Sequence, residues 1–491
     1  MLGDIKRLGR ETVIYGLSTV LARLLNFLLI PLYTHLLVPE EMGVMGALFA
    51  YMAFANVLFL YGLDFALMRK SADRPAGDRT LFSTACWSVV SSSLVFSSAI
   101  HAFSAPLSSM MDLGTRYAPL LAMAAWTLAC DAVSSVIFAQ LRMEHRASTY
   151  AALKTANIAT NLALNVVLVA WLDWGLFGVF AGTLGASVLT LLLLLPPALR
   201  RLAPAFEPAL WRAMLGFSLP LFPGALAAIA VQVVDRLIVL KLMGKTSAGI
   251  YQVNYKLAIL MMMAVNMFDA AWRPFFLQRF GQPKAPETLA RVMTYFATLG
   301  CFLFLAMSLF IPHLVALPLA GGKPLIDPSY WEGLAVVPLV ALGYLFNGLY
   351  INLLAAPALS ERTALLSYAT ILGATINVGA NFLWIPRWGI MGAAAATLAA
   401  YLSMALSLYF MSRRTYPIPY EWGRLFRVAA CLAACLSAAW AMEFGMSPDR
   451  AAARLILCLG FPIALVFSGF LLPEEKQALS RIWPGLTAIS R

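Results

Sequence analysis

The run Thr19-Val20-Leu21-Ala22-Arg23-Leu24-Leu25-Asn26 decides how the rest of the chain is read, because it sets an arginine inside the first long apolar stretch. Val13 to Leu17 precede it and Phe27 to Ile30 follow, so a helix through Arg23 lies at bilayer depth. A guanidinium at the centre of hydrocarbon costs about 2.5–3.5 kcal/mol on insertion scales, so something must compensate. Thr19, Arg23 and Asn26 are spaced to share one helical face. An internal salt bridge, a side chain snorkelling to the interface, or an anion-binding cavity would each meet the cost.

Outward from that stretch the same apolar character continues. Of 491 residues, 61% are hydrophobic and 12% charged, which excludes an ordinary soluble protein. Hydrocarbon offers backbone amides no partner, so spans are helices or a closed barrel. Uninterrupted apolar runs, rather than alternation, select helices. Fourteen runs are expected, near 12–37, 43–67, 82–104, 117–140, 150–172, 176–199, 213–240, 248–272, 289–311, 334–357, 363–385, 389–411, 425–444 and 452–472. No length is left for a soluble domain, so the function is exercised within the membrane.

Loop charge gives the orientation. Of the 35 Lys and Arg, 25 fall in loops on the side of the N-terminus and 7 on the opposite side. By the positive-inside rule both termini are cytoplasmic. The net charge of +12 then reflects topology and attraction to anionic headgroups, with no nucleic-acid partner required. Three bases remain within spans: Arg23, Arg236 and Lys256. The deep acids are Asp64, Asp131, Asp235 and Asp269. Gln232, Asp235 and Arg236 share a face of the seventh span, as do Asn266, Asp269 and Arg273 of the eighth. Asp235 and Arg236 could instead neutralise other buried groups, and Asp64 is close enough to Arg69 and Lys70 for an interfacial ion pair.

The chain repeats itself. Leu36 to Val44 at the end of the first hairpin matches Leu242 to Ile250 at an offset of 206. Asn161, Asn165 and Trp174-Gly175-Leu176-Phe177-Gly178 match Asn377, Asn381 and Trp388-Gly389-Ile390-Met391-Gly392, at an offset of 216 for the asparagines and 214 for the Trp-Gly. Two six-helix halves of like orientation follow, with 1–205 as an N-terminal lobe, 206–415 as a C-terminal lobe and 416–491 as two extra helices and a tail. Pro31, Pro220 and Pro223 in the first helix of each half fit alternating access around a central cavity, and each can also be a purely structural kink.

Signatures of catalysis are missing. Gly244-Lys245-Thr246 ends like a phosphate loop, but Val239 stands where its first glycine is needed. No HExxH occurs, and the six cysteines lie in apolar runs, where they read as core residues and not as disulfides or metal ligands. Cys431 and Cys435 are one turn apart with no third ligand nearby. An enzyme is not expected, nor a cofactor beyond a coupling H+ or Na+.

Tyr15-Gly16-Leu17, Arg23, Phe27, Pro31-Leu32-Tyr33-Thr34 and Pro39-Glu40-Glu41-Met42-Gly43 resemble the first hairpin of bacterial polysaccharide exporters of the Wzx type. These are lipid-linked oligosaccharide flippases in the superfamily that includes the MurJ lipid II flippase and the MATE drug exporters. Asp235-Arg236 with Gly249-Ile250-Tyr251 resembles that family's seventh and eighth helices, and the asparagine segment closed by Trp-Gly-Ile-Met-Gly its eleventh and twelfth. The resemblance implies an all-α membrane fold of two six-helix lobes in a V, around a cavity for an undecaprenyl-diphosphate-linked sugar repeat unit of O-antigen, capsule or exopolysaccharide. It makes Arg23 and Arg236 candidate pyrophosphate or acidic-sugar ligands, with Asn26 and Lys256 beside them. Asp64, Asp131, Asp235 and Asp269 would carry the coupling ion or balance the bases. Implied surroundings are the bacterial inner membrane, its lipids, a polysaccharide polymerase and a chain-length regulator. In MurJ two extra helices form a groove for the lipid tail, a place that spans 13 and 14 would take, and Wzx relatives also occur without them. The second half carries fewer bases than MurJ, which weakens lipid II as substrate. A multidrug or metabolite cation antiporter of the same fold is the alternative.

Overall fold

A computed structural model describes residues 27, 29–71, 78–279, 281–319, 321–362, 364–441 and 451–482. Among them the chain is helical, with no strand beyond an isolated bridge between Pro318 and Pro324. Residues 29–36 are helical, and the longer helices after them are α1 (Pro39–Leu60), α2 (Leu63–Ser71), α3 (Arg79–Ala102), α4 (Ala118–Met143), α5 (Ala147–Asn165), α6 (Gly175–Leu199), α7 (Pro208–Ser218), α8 (Phe222–Leu257), α9 (Ile259–Gln278), α10 (Ala285–Val315), α11 (Val336–Leu353), α12 (Ala364–Trp388), α13 (Ile390–Ser412), α14 (Trp422–Ala441), α15 (Ala451–Phe467) and α16 (Pro473–Ile482).

Eleven described stretches are long and apolar enough to cross a membrane, so the chain is a multi-pass membrane protein. Length and hydropathy do not reach the expected fourteen, for identifiable reasons. Most of the first run lies outside the described residues. The stretch Pro208–Leu257 counts once, although Gly244 (φ 83, ψ 178) folds α8 back on itself. Glycine adopts that backbone without the Cβ clash other residues meet. Ala451–Phe467 is apolar but has only 17 residues. Where Pro220 and Pro223 stand, α7 passes through a 3-10 turn, Leu219–Leu221, before α8 begins. Proline cannot donate to the α ladder, and the tighter turn absorbs the missing bonds.

The chain forms two compact units. The first runs through Lys256 and takes in Ile326–Gly333 and Thr370–Thr397. Its apolar core gathers Phe59, Leu67, Phe82, Val89, Val136 and Phe138 from α1 to α4. The second comprises Leu257–Leu325, Leu334–Ala369 and the chain from Leu398 on. There Phe268 packs its ring 4.3 Å from Phe296 and 5.5 Å from Trp272, tying α9 to α10.

The tail of the second unit is fastened by charge. Arg424, 6% exposed on α14, donates to Glu421 at 2.8 Å and to both carboxylate oxygens of Glu475 on α16, at 3.0 and 2.8 Å. Tyr295 of α10 donates to Glu475 at 2.5 Å, as does the Leu472 amide at 2.9 Å. Burial alone would raise the Glu475 carboxyl, but these donors and the Arg424 charge hold it below the usual carboxylate range. A depressed carboxyl contributes stability above its unfolded pKa and loses it as pH falls through the folded one. Acidification below the ordinary glutamate range of about 4.3 should therefore release α16. Faster amide exchange over residues 473–482 at low pH would report it, and Glu475→Gln should show the same release already at pH 7.

Candidate functional site

The internal repeat has a counterpart in local geometry, all within the first unit. Asn165 Nδ2 donates to the Asn161 carbonyl at 2.8 Å and to its Oδ1 at 3.1 Å, and Asn381 Nδ2 makes the same two bonds to Asn377 at the same distances. Each pair is followed by a left-handed glycine, Gly175 at φ 51 and Gly389 at φ 58. The halves then diverge. In the first, Asn165 Oδ1 accepts from Tyr33 at 2.7 Å and Asn161 Nδ2 reaches Thr183 at 3.4 Å. In the second, Asn377 Nδ2 and Asn381 Oδ1 are buried with no hydrogen-bond partner among the described residues. Val239 stands where the offset of 206 would put a second Tyr33. Thr397, related to Thr183 by the offset of 214, turns to a different group, Asp235.

Asp235 is fully buried. A carboxylate taken out of water needs donors, and it has three. The Arg236 amide donates to Oδ1 at 2.9 Å, while the Tyr251 hydroxyl at 2.6 Å and the Thr397 hydroxyl at 3.2 Å donate to Oδ2. The turn at Gly244 sets this register, since Asp235 precedes it by 9 residues and Tyr251 follows it by 7. One helical turn beyond Tyr251, the Tyr255 ring lies 4.4 Å from the half-buried Arg236 guanidinium. The two tyrosine rings are 5.6 Å apart. Lys256 is half-buried within electrostatic range of Arg236. A buried acid and two bases thus occupy one hairpin. The acid with Thr397 offers oxygens to a small cation, and the bases offer charge to an anion.

Of the residues expected to form a site, the structure brings together Asp235, Arg236 and Lys256. Arg23 and Asn26 lie outside the described residues. Asp131 belongs to another cluster, hydrogen-bonded to Ser187 and within reach of Lys154. Lys154, counted above among loop bases, sits inside α5 with its ammonium 4.6 Å from the Phe138 ring. Asp64 feels the charge of Arg142. Asp269 is in the second unit, paired with Arg273 one turn along α9 at 2.8 Å. Sequence reasoning did not single out Thr397, Tyr255 or Lys154 for the site, and took Tyr251 only as part of a family motif. Counting outward from Gly244 was the available signal for the tyrosines.

Solved structures share the fold that carries these residues. The lipid II flippase MurJ in an inward closed conformation superposes with a TM-score of 0.74 at 14% identity, over 97% of this chain and 100% of that one. An inward-facing multidrug resistance MATE family transporter of the MOP superfamily follows at 0.63, with 15% identity over 84% and 97%. An outward-facing MATE structure gives 0.57, with 15% identity over 83% and 95%. The fold is that shared by MurJ and the MATE proteins. Residues 32–279, just over half of the 491, match the family described as "Polysaccharide biosynthesis protein", and the chain belongs to that family. Among curated proteins no sequence matches.

Proposed function

We propose that the protein is a flippase that carries undecaprenyl-diphosphate-linked oligosaccharide repeat units, of O-antigen, capsule or exopolysaccharide, from the cytoplasmic to the outer leaflet of a bacterial inner membrane. The observation that carries the reading is the pair of half-buried bases, Arg236 and Lys256, on the mid-chain hairpin of a polysaccharide-biosynthesis family member. A diphosphate is the anion such a pair would hold, and a planar guanidinium can meet two of its oxygens at once. Arg23 and Asn26 are assigned to the same anion as further ligands. The MurJ-like fold supports alternating access; we assign it to two six-helix lobes, 1–205 and 206–415, with 416–491 as the extra helices and tail, and the bias of loop charge supports cytoplasmic termini. The protein works as a transporter, not as an enzyme, and hands its cargo to a polymerase and chain-length regulator on the outer side. Two bases against one acid in the hairpin disfavour an antiporter of cationic drugs.

Coupling to H+ or Na+ is assigned to Asp235 and Thr397, whose oxygens can face a cation. Asp64, Asp131 and Asp269 balance neighbouring bases.

Complementation of a strain lacking its own flippase tests the reading. Arg236→Ala should reduce surface polymer about tenfold or more, as loss of one partner from a buried ionic contact costs roughly 2 kcal/mol or more. Arg23→Ala should do likewise, and lysine at either position should restore part of the polymer. Normal polymer from both alanine variants at normal protein levels would remove the anion site.

A further inference from the structure

The tips of two hairpins meet in the first unit with their backbones in contact. A Cβ built on Gly43 would run into the carbonyl of Lys245, and one built on Gly249 into the carbonyl of Pro39. These are one contact seen twice, since an offset of 206 carries Gly43 to Gly249 and Pro39 to Lys245. The same offset carries Gly46 to Gln252, and the Gln252 side chain packs against Gly46. The repeat therefore meets itself about a local two-fold axis. A 3.3 Å ion pair between Lys245 and Glu40 borders it.

One segment lies across this contact. Ile326–Gly333 packs in the first unit, although both its ends continue into the second. Tyr330 is 0% exposed, and its hydroxyl donates to the Leu37 carbonyl at 2.7 Å, just before α1. Its own carbonyl accepts from Asn254 at 2.8 Å, on the opposite hairpin arm. Asn254 packs so closely on Gly333 that no Cβ fits there. At the leading end Asp327 faces His35 at 3.7 Å and caps its own turn through the Ser329 amide and hydroxyl at 2.9 and 2.7 Å. Burial, with the Asp327 and Glu41 charges adding to it, pushes the Tyr330 hydroxyl well above its ordinary range, so it remains a protonated donor.

We propose that Ile326–Gly333 is a strap that holds the two hairpin tips shut on the outer side of the membrane, with Tyr330 as its latch. One residue bonds both arms, the 29–37 arm through its hydroxyl and the Lys245–Leu257 arm through its carbonyl, so the tips cannot part until it leaves. This rests on the reading above for the statements that the tips must open and that they lie on the outer side.

The test reads accessibility, without substrate. Gln252→Cys is placed in full-length protein whose native cysteines are alanine, reconstituted in lipid vesicles, and treated with a membrane-impermeant maleimide. At 3% exposure the position should be protected in the parent. Tyr330→Phe keeps the ring and removes one hydrogen bond, so labelling should rise about fivefold, the factor that corresponds to a bond of ordinary net strength. Asp327→Ala, which loosens the strap's leading end without touching the buried ring, should raise labelling in the same direction. Both are scored only with the parent's elution profile and melting temperature. Unchanged labelling in both variants would overturn the strap, whatever Arg236→Ala does to polymer export. If Arg23→Ala and Arg236→Ala both export normally while Tyr330→Phe labels faster, the anion site fails and the strap stands.

Discussion

Gly249→Ala should disable the protein, although it adds a single methyl group. That carbon would occupy the space of the Pro39 carbonyl oxygen, and backbone cannot swing aside as a side chain can. The two tips would have to separate, and everything fastened to them would shift: the Lys245–Glu40 pair, the Tyr330 bond to Leu37, and the packing of Gln252 on Gly46. Overpacking of a tight contact costs about 1–3 kcal/mol and occasionally more. Gly43→Ala should cost a similar amount, because the repeat makes it the same contact from the other side. Controls come from the chain itself. Gly379 and Gly423 sit in helices with nothing within 4 Å of a Cβ, so alanine there should be neutral or slightly stabilising. Thermal unfolding of the purified variants and surface polymer in the complemented strain are the measurements. Gly249→Ala melting with the parent and exporting normally would mean the tips are not packed as described.

Much of this was written in the sequence, and what was not has physical causes. Helix class follows from composition, since only a helix satisfies its own backbone in hydrocarbon. The hairpin at Gly244 and the paired asparagine motifs could be seen because a repeat exposes itself as offset. Pairing between helices could not. Asp235 and Arg236 were visible as charges on one face, but Thr397, 162 residues away, makes the carboxylate a three-donor site, and no periodicity links those positions. Lys154 was misplaced because a basic residue seven positions past a helix start looks like loop charge until its ammonium is seen over the Phe138 ring. Tyr330 was invisible for a related reason. It sits in the long connection between α10 and α11, and its importance comes from contacts with Leu37 and Asn254, far off in sequence.

Asp235→Asn should abolish export while sparing the fold, and the hydrogen bonds say why the two effects separate. An amide oxygen in place of Oδ1 still accepts from the Arg236 amide, 2.9 Å from the carboxylate, and the Thr397 hydroxyl can turn to donate to the Ala393 carbonyl, already 3.2 Å away. The new amide N–H then has the Thr397 oxygen to meet. Volume is conserved and only the Tyr251 hydroxyl hydrogen loses its acceptor, so the melting temperature should stay within a few degrees of the parent. Asp235→Leu is the contrasting case. It leaves the Tyr251 and Thr397 hydroxyls without this acceptor, at about 1–3 kcal/mol for each buried group stranded, and should reduce folded protein. Export is different, because the substituted amide carries no charge to hold a proton or Na+ and cannot take part in their exchange. Surface polymer should fall about tenfold or more in Asp235→Asn, as expected when an ionic partner is removed from a buried site. Transport in vesicles, with Na+ varied at fixed pH and pH varied at fixed Na+, identifies the ion in the parent. Whatever activity the variant keeps should no longer respond to it. Normal polymer with an intact cation response in Asp235→Asn would sink the assignment and move the coupling site to the Asp131 cluster, where Lys154 and Ser187 already surround a second carboxylate.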